Sequence, residues 1–355
     1  MRDRAIDTPT AAAVERLLAG LVERDLASAV HALIGTRREV VLGRGAGAVD
    51  EGLGVPTERS LFDLASLTKP WVATLALVLD RSGELPLGLE IGEVFAAARR
   101  PLADRSLEEL LRHRSGLEAW QPLYRRVADP QRVAVYLLDR ASHRARCGTY
   151  SDLGYILWGL AAERQTGEAL GRLLLSRVAR PLGVAREVAV TPGPRRGVVA
   201  CRLDNLREVE LAAERGVRVA VGKVPEIGEP QDGNARFLGG LGGHAGLFAS
   251  TRALWALGRE WLDPGHLLDP RAITGALGGT GNYRLGWRRR RLRGSGGPHL
   301  SAAAIGHVGF TGGSLWLDPR ADRIAVLLAH RATVGDDLSA ARRRFHRLVT
   351  EPTVA

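Results

Sequence analysis

The chain of 355 residues carries 50 Lys and Arg against 39 Asp and Glu, for a formal charge of +11, with 45% apolar and 25% charged residues. That balance is globular and fits one large domain or two closely joined ones, and no apolar run of about eighteen residues is present to span a membrane. Cys147 and Cys201 are the only cysteines, which excludes a disulfide framework or a Cys-rich metal site and suits a reducing, cytoplasmic setting. All but two of the cations are arginine, so the charge reads as a solvated Arg-rich surface rather than a nucleic-acid footprint.

The first seven residues are charged, with no apolar leader behind them. Residues 11–22 then place Val14, Leu17, Leu18, Leu21 and Val22 on one helical stripe. Ala27–Gly35 and Glu39–Gly47 read as strands around Thr36-Arg37-Arg38. Leu61-Phe62-Asp63-Leu64-Ala65 leads into a helix that starts at Ser66 and stops near Ser82-Gly83. Its apolar residues lie on several sides, which predicts a central, buried helix.

Residues 85–220 read as helix and loop, with helical patterns at Leu107–Arg112, Val133–Leu138, Tyr155–Gln165 and Leu170–Ala179. Gly239–Gly246 reads as a flexible, turn-rich loop before a helix over Thr251–Trp261. Strands are expected at Tyr283–Trp287, Ala303–His307, Ser314–Leu317 and Ile324–Ala329, the last two joined through Asp318–Asp322, and a helix over Asp336–Val349. Strands at both ends around a helical middle imply an α+β (mixed α/β) fold, an antiparallel sheet with helices on both faces and a mainly helical insertion. The expected division is 1–80 with 240–355 as the sheet domain and 81–239 as the helical domain, with a cleft between them.

One of the two lysines, Lys69, stands in Ser66-Leu67-Thr68-Lys69; the other is Lys223. Ser-x-x-Lys on a helix puts a hydroxyl and an amine one turn apart on the same face, the minimum for a serine nucleophile with a lysine base. Unlike arginine, a buried lysine can give up its proton. Tyr150 in Gly148-Thr149-Tyr150-Ser151-Asp152 offers a phenolic acid/base at a helix start. In Gly306-His307-Val308-Gly309-Phe310-Thr311-Gly312-Gly313, glycines would let backbone N–H groups approach a substrate. Leu110–Leu117 supplies a third compact signature. His113 and His244 read as loop organisers, and the run Arg288–Arg291 as a solvated strand edge that could guide acidic substrates. Histidine spacing gives no metal site, and the glycine runs lack a following Gly-Lys-Ser/Thr, so no metal or cofactor is expected.

Taken in this order, Ser66/Lys69, Tyr150/Asp152 and His307/Gly309 resemble the serine hydrolases of the β-lactamase and penicillin-binding-protein superfamily, in particular the class C β-lactamase-like, carboxypeptidase and esterase branch. Residues 110–117 and 240–250 resemble further segments of that branch, and the likeness spans about residues 40–330. It implies a β-lactamase/transpeptidase-like fold and an acyl-enzyme route. Ser66 would be the nucleophile, with Lys69 and Tyr150 sharing the proton work. The N–H groups of Ser66 and Phe310 would form the oxyanion hole, with Asp152, His307 and Gly309 lining the substrate site. Three departures stand out. His307 replaces a lysine, Val308 a threonine and Asp152 an asparagine. They argue against a dedicated β-lactamase and favour a small ester, amide or peptide. His307, if protonated, would supply the missing cation below about pH 6.5. The alternatives are a slowly acylating or silent penicillin-binding-type sensor and a genuine class C-like β-lactamase. No nucleic-acid partner is expected.

Overall fold

A computed structural model describes residues 8–50, 53–139, 148–222, 224–332 and 338–350. Among these residues, nine strands form two sheets: β1 (Ala27–Gly35), β2 (Val40–Gly47), β3 (Phe62–Asp63), β4 (Val188–Val190), β5 (Leu247–Ala249), β6 (Arg288–Arg289), β7 (Ile305–Val308), β8 (Ser314–Asp318) and β9 (Arg323–Arg331). The larger sheet runs β2-β1-β9-β8-β7-β6, with every pair antiparallel. The smaller is β3-β5-β4.

Alternation along β1 explains why helices cover both faces. Val30, Ala32 and Ile34 face the helices Thr8–Glu23 and Ser339–Thr350, meeting Val14, Leu17, Leu18 and Leu21 from the first and Phe345 and Val349 from the second. Ala29 and Leu33 face the other way, into a larger core with Trp71 and Leu75 of the helix Thr68–Ser82 and Leu254 and Leu257 of the helix Thr251–Leu262. That core continues into Leu110, Leu157 and Leu173 of the helical middle of the chain. Thr68 through Leu79 are all buried, the central helix its composition predicts. Among the described residues, no helix is long and apolar enough to cross a membrane.

Three expectations change. The segment read as helix and loop contains β4, a three-residue strand too short for a periodic signal, which pairs with β5. Gly239–Gly246 is not a loose loop, since Gly240–Ser250 is buried without interruption. Tyr283–Trp287 is not a strand either. Tyr283 bridges Arg288 across a tight turn, and the strand falls on Arg288–Arg289. Gly286 makes that turn possible, with φ +78 and a backbone so close to the central helix that a Cβ would lie 2.3 Å from Ala73 Cβ. The closing helix begins at Ser339, while Asp336 and Asp337, with Cys147, Lys223 and the first seven residues, lie outside the described residues.

Candidate active site

Ser66 sits in a single 3-10 turn, Ala65–Leu67, between β3 and the central helix. The turn is anchored by Asp63, whose Oδ1 accepts from Ala65 N at 2.8 Å, and Ala65 holds a positive φ of 44. Lys69 follows one turn later and is fully buried. Its amine donates to Ser66 Oγ at 2.9 Å and His244 O at 3.0 Å, and lies 2.7 Å from Asp152 Oδ1. Burial pulls its basicity down, but the Asp152 carboxylate and then Tyr150 outweigh burial and hold it above the usual lysine value. The resting group is an ammonium with three oxygen neighbours, not the free amine a serine–lysine pair suggests.

Asp152 and Tyr150 come from the start of the helix Asp152–Thr166. Ser151 caps it, accepting from Gly154 N at 3.2 Å and donating to Glu118 O at 2.6 Å. Ser151 N donates to His113 Nδ1 at 2.9 Å, which puts the proton of this imidazole on Nε2. Burial, then Lys69 and Arg288, push His113 well below the usual histidine value, so it is neutral. Its ring stacks 4.5 Å from Tyr150 and 4.8 Å from Tyr283. His113 is therefore the loop organiser its motif suggests, and what it organises is Tyr150. The Tyr150 ring lies 4.9 Å from Lys69 Nζ, and its buried hydroxyl has no aligned hydrogen-bond partner among the described residues.

His244 also organises a loop. Its Nε2 lies 2.9 Å from Asp232 Oδ1, the carboxylate that caps the helix Gly233–Phe237. Burial opposes both charges, yet each outweighs it for the other. Asp232 is lowered to about 2 and His244 is held above the usual histidine value. With Nδ1 3.3 Å from Gly242 O, this imidazolium fixes the loop so that its own carbonyl faces Lys69.

The turn after β7 is pressed against the nucleophile. Thr311 Oγ1 donates to Asp63 O at 2.8 Å, and Gly309 passes so close that a Cβ would lie 2.5 Å from Leu64 O. Phe310 lies between these two anchored residues in the chain. His307 is buried, 6.0 Å ring to ring from Tyr150, and accepts from Val308 N at 3.0 Å. Burial first, then Arg288 and Lys69, push it well below the usual histidine value. It is neutral, so the expectation that it supplies a cation near pH 6.5 is corrected.

A cation does reach this wall from Arg288 on β6, which pairs with Gly306 of β7. Its guanidinium stacks 4.5 Å over the Tyr150 ring and 5.7 Å over Tyr283, and its Nε is buried with no hydrogen-bond partner among the described residues. A run of four arginines gave no sign that the first turns inward while the next is exposed. Among the described residues, no group of His, Cys, Asp and Glu is arranged to hold a metal ion.

Comparison with known proteins bears on the family and the fold. The beta-lactamase family model matches residues 14–348. An N-acetylmuramyl-L-alanine amidase of Bacillus subtilis is 26% identical over 316 residues, 77% of this chain and 68% of the relative. Esterase EstB of Burkholderia gladioli is 32% identical over 251 residues, 62% and 64% of the two chains. The matches thus span about two thirds of the length of these curated relatives. Among solved structures, EstCE1, a hydrolase with promiscuous acyltransferase activity, superposes with a TM-score of 0.71 at 16% identity, over 97% of this chain and 99% of its own.

Proposed function

The chain belongs to the beta-lactamase family and is a hydrolase, and we propose that it acts as a serine hydrolase, through an acyl-enzyme, on a small ester, amide or peptide. Ser66 Oγ attacks the carbonyl carbon. Lys69 and Tyr150 move the proton from Ser66 to the leaving group, and water then releases the acyl group. The N–H groups of Ser66 and Phe310 hold the oxyanion. The substrate enters a cleft between the sheet domain, 1–80 with 240–355, and the helical segment 81–239. One observation carries the reading: a fully buried lysine amine 2.9 Å from a serine hydroxyl, in a chain that writes its other cations almost wholly as arginine.

Substrate choice follows from the far wall. Neutral His307 and Val308 offer an anion no positive charge, which favours neutral esters. Arg288 returns a cation to the same wall from the neighbouring strand, so small amides and peptides with a free carboxylate stand beside esters as substrates.

The test is labelling with a fluorophosphonate probe, followed by turnover of short-chain esters, D-amino peptides and a chromogenic cephalosporin. Wild type is expected to carry the adduct on Ser66 and to release product, and Ser66→Ala to lose both while remaining folded. An adduct on another residue overturns the assignment. A Ser66 adduct with no turnover of any substrate supports a sensor instead.

A further inference from the structure

We propose that Asp152 is the terminal proton acceptor of acylation, reached through Lys69, rather than a residue that orients substrate. The inference rests on the serine-hydrolase reading above and deepens it. Three oxygens surround the Lys69 amine, those of Ser66, the His244 backbone and Asp152. An ammonium has no lone pair with which to take the Ser66 proton. The Tyr150 ring lies 4.9 Å from the amine and its hydroxyl interacts with it, while Tyr155, at 5.4 Å, donates its hydroxyl to Leu111 O; a phenol hydroxyl can relay that proton but not keep it. The other charged or titratable groups around it are unsuited. His244 is paired to Asp232, the Arg288 guanidinium has no acceptor to offer, and His113 and His307 are held well below the usual histidine value in part by the Lys69 charge itself. Among the described residues, Asp152 is the one carboxylate in contact with the amine. The resemblance noted above leads one to expect an amide at this position, and an amide cannot take a proton.

The step balances within the residues present. As Ser66 Oγ bonds to the carbonyl carbon, its O–H bond breaks and the proton passes to Lys69 Nζ. Nζ releases another of its protons to Asp152 Oδ1, and the carbonyl π electrons move onto the oxyanion. Lys69 is an ammonium before and after, and Asp152 becomes a neutral carboxyl. When the oxyanion collapses and the leaving group departs, the proton returns from Asp152 through Lys69, and by way of Tyr150 reaches the leaving atom. The Lys69–Asp152 contact is 2.7 Å long but outside hydrogen-bond alignment, so the relay requires the carboxylate to turn into line with the amine during the reaction.

The test compares wild type, Asp152→Asn and Asp152→Glu, measuring the single-turnover rate of fluorophosphonate labelling between about pH 5.5 and 10. Wild type is expected to acylate at a nearly constant rate through neutrality. In Asp152→Asn, Lys69 must itself lose a proton first. Labelling at pH 7 is then expected to be about 100-fold slower, the scale of losing a proton acceptor. It should climb toward the wild-type rate as pH rises. Asp152→Glu is expected to restore the flat profile, even if slower throughout. Because the chain has only two lysines, 13Cε-lysine labelling reads the ionisation of Lys69 directly, and its signal should titrate at lower pH in Asp152→Asn than in wild type. Parallel pH profiles in wild type and Asp152→Asn would overturn the relay and leave Asp152 as packing. No labelling of Ser66 in wild type would instead sink the serine-hydrolase reading beneath it.

Discussion

The guanidinium of Arg288 stacks 4.5 Å over the ring of Tyr150, so the strand at the sheet edge reaches the residue proposed to protonate the leaving group. Lys69 lies 4.9 Å from the same ring. Arg288→Ala is expected to lower kcat/KM for a carboxylate-bearing peptide by about 10- to 100-fold, the worth of one charge-assisted hydrogen bond of ~1.5–3 kcal/mol. The methyl ester of the same peptide should change by less than about threefold, since it offers the guanidinium no anion. Equal losses for both compounds would show that Arg288 serves Tyr150 and not the substrate.

His307 carries the opposite expectation. It is buried and faces Arg288 and Lys69, so it stays neutral well below pH 6.5. The preference for carboxylate over ester should therefore not grow between pH 8 and about 6, and His307→Gln should leave that ratio flat. A carboxylate preference that rises through pH 6.5 and vanishes in His307→Gln would restore a titrating histidine.

Gly309 separates turn geometry from substrate contact. A methyl group there meets Leu64 O at 2.5 Å, so Gly309→Ala must push the turn that carries Phe310 away from Ser66. The expected loss is about 10²-fold or more in kcat, as for removal of one oxyanion donor, with KM little changed. A variant with normal kcat would exclude the Phe310 N–H from catalysis.

His346 links stability to pH. It is fully buried, neither ring nitrogen has a hydrogen-bond partner among the described residues, and its ring packs near Trp316 and Phe345. Burial, then Arg342, lower its pKa to about 3, and burial lowers His31 to about 4. The unfolded chain titrates these histidines near 6.5, so between that value and the folded ones it binds more protons than the native state. Their contribution is present in full above about pH 6.5 and is lost as pH falls toward 3. His346→Leu should remove one share of that slope and gain about 1–3 kcal/mol by ending an unsatisfied polar burial. Urea unfolding at pH 8 and pH 5 checks both effects. A variant weaker at both pH values would show that the imidazole is bonded in solution.

The frame of the molecule was open to reading because its signals are local and repeated. Val14 to Leu21 recur at helical spacing, β1 and β9 are long apolar runs, and Ser66 to Lys69 is a spacing with a mechanism. What escaped depends on contacts distant in sequence. Lys69 reads as a candidate free base until Asp152 is beside it, and that proximity needs the whole helical segment folded. His307 reads as a switch until burial and Arg288 set its charge. Gly239–Gly246 reads as loose because glycine signals freedom, whereas here its narrow backbone lets the loop sink into the core.

The order of events in folding follows from β1. On one side it pairs with β2, its neighbour in the chain. On the other it pairs with β9, and Ser28 Oγ donates to His330 O across 302 residues. The first hairpin can form early, but its second edge stays unpaired until nearly the whole polypeptide has been made. Loop closure on that scale slows folding and leaves an apolar strand edge open to wrong partners meanwhile. During synthesis, then, this chain is most exposed to self-association at its first strand. Truncation before Arg323 should yield aggregates rather than a smaller soluble protein.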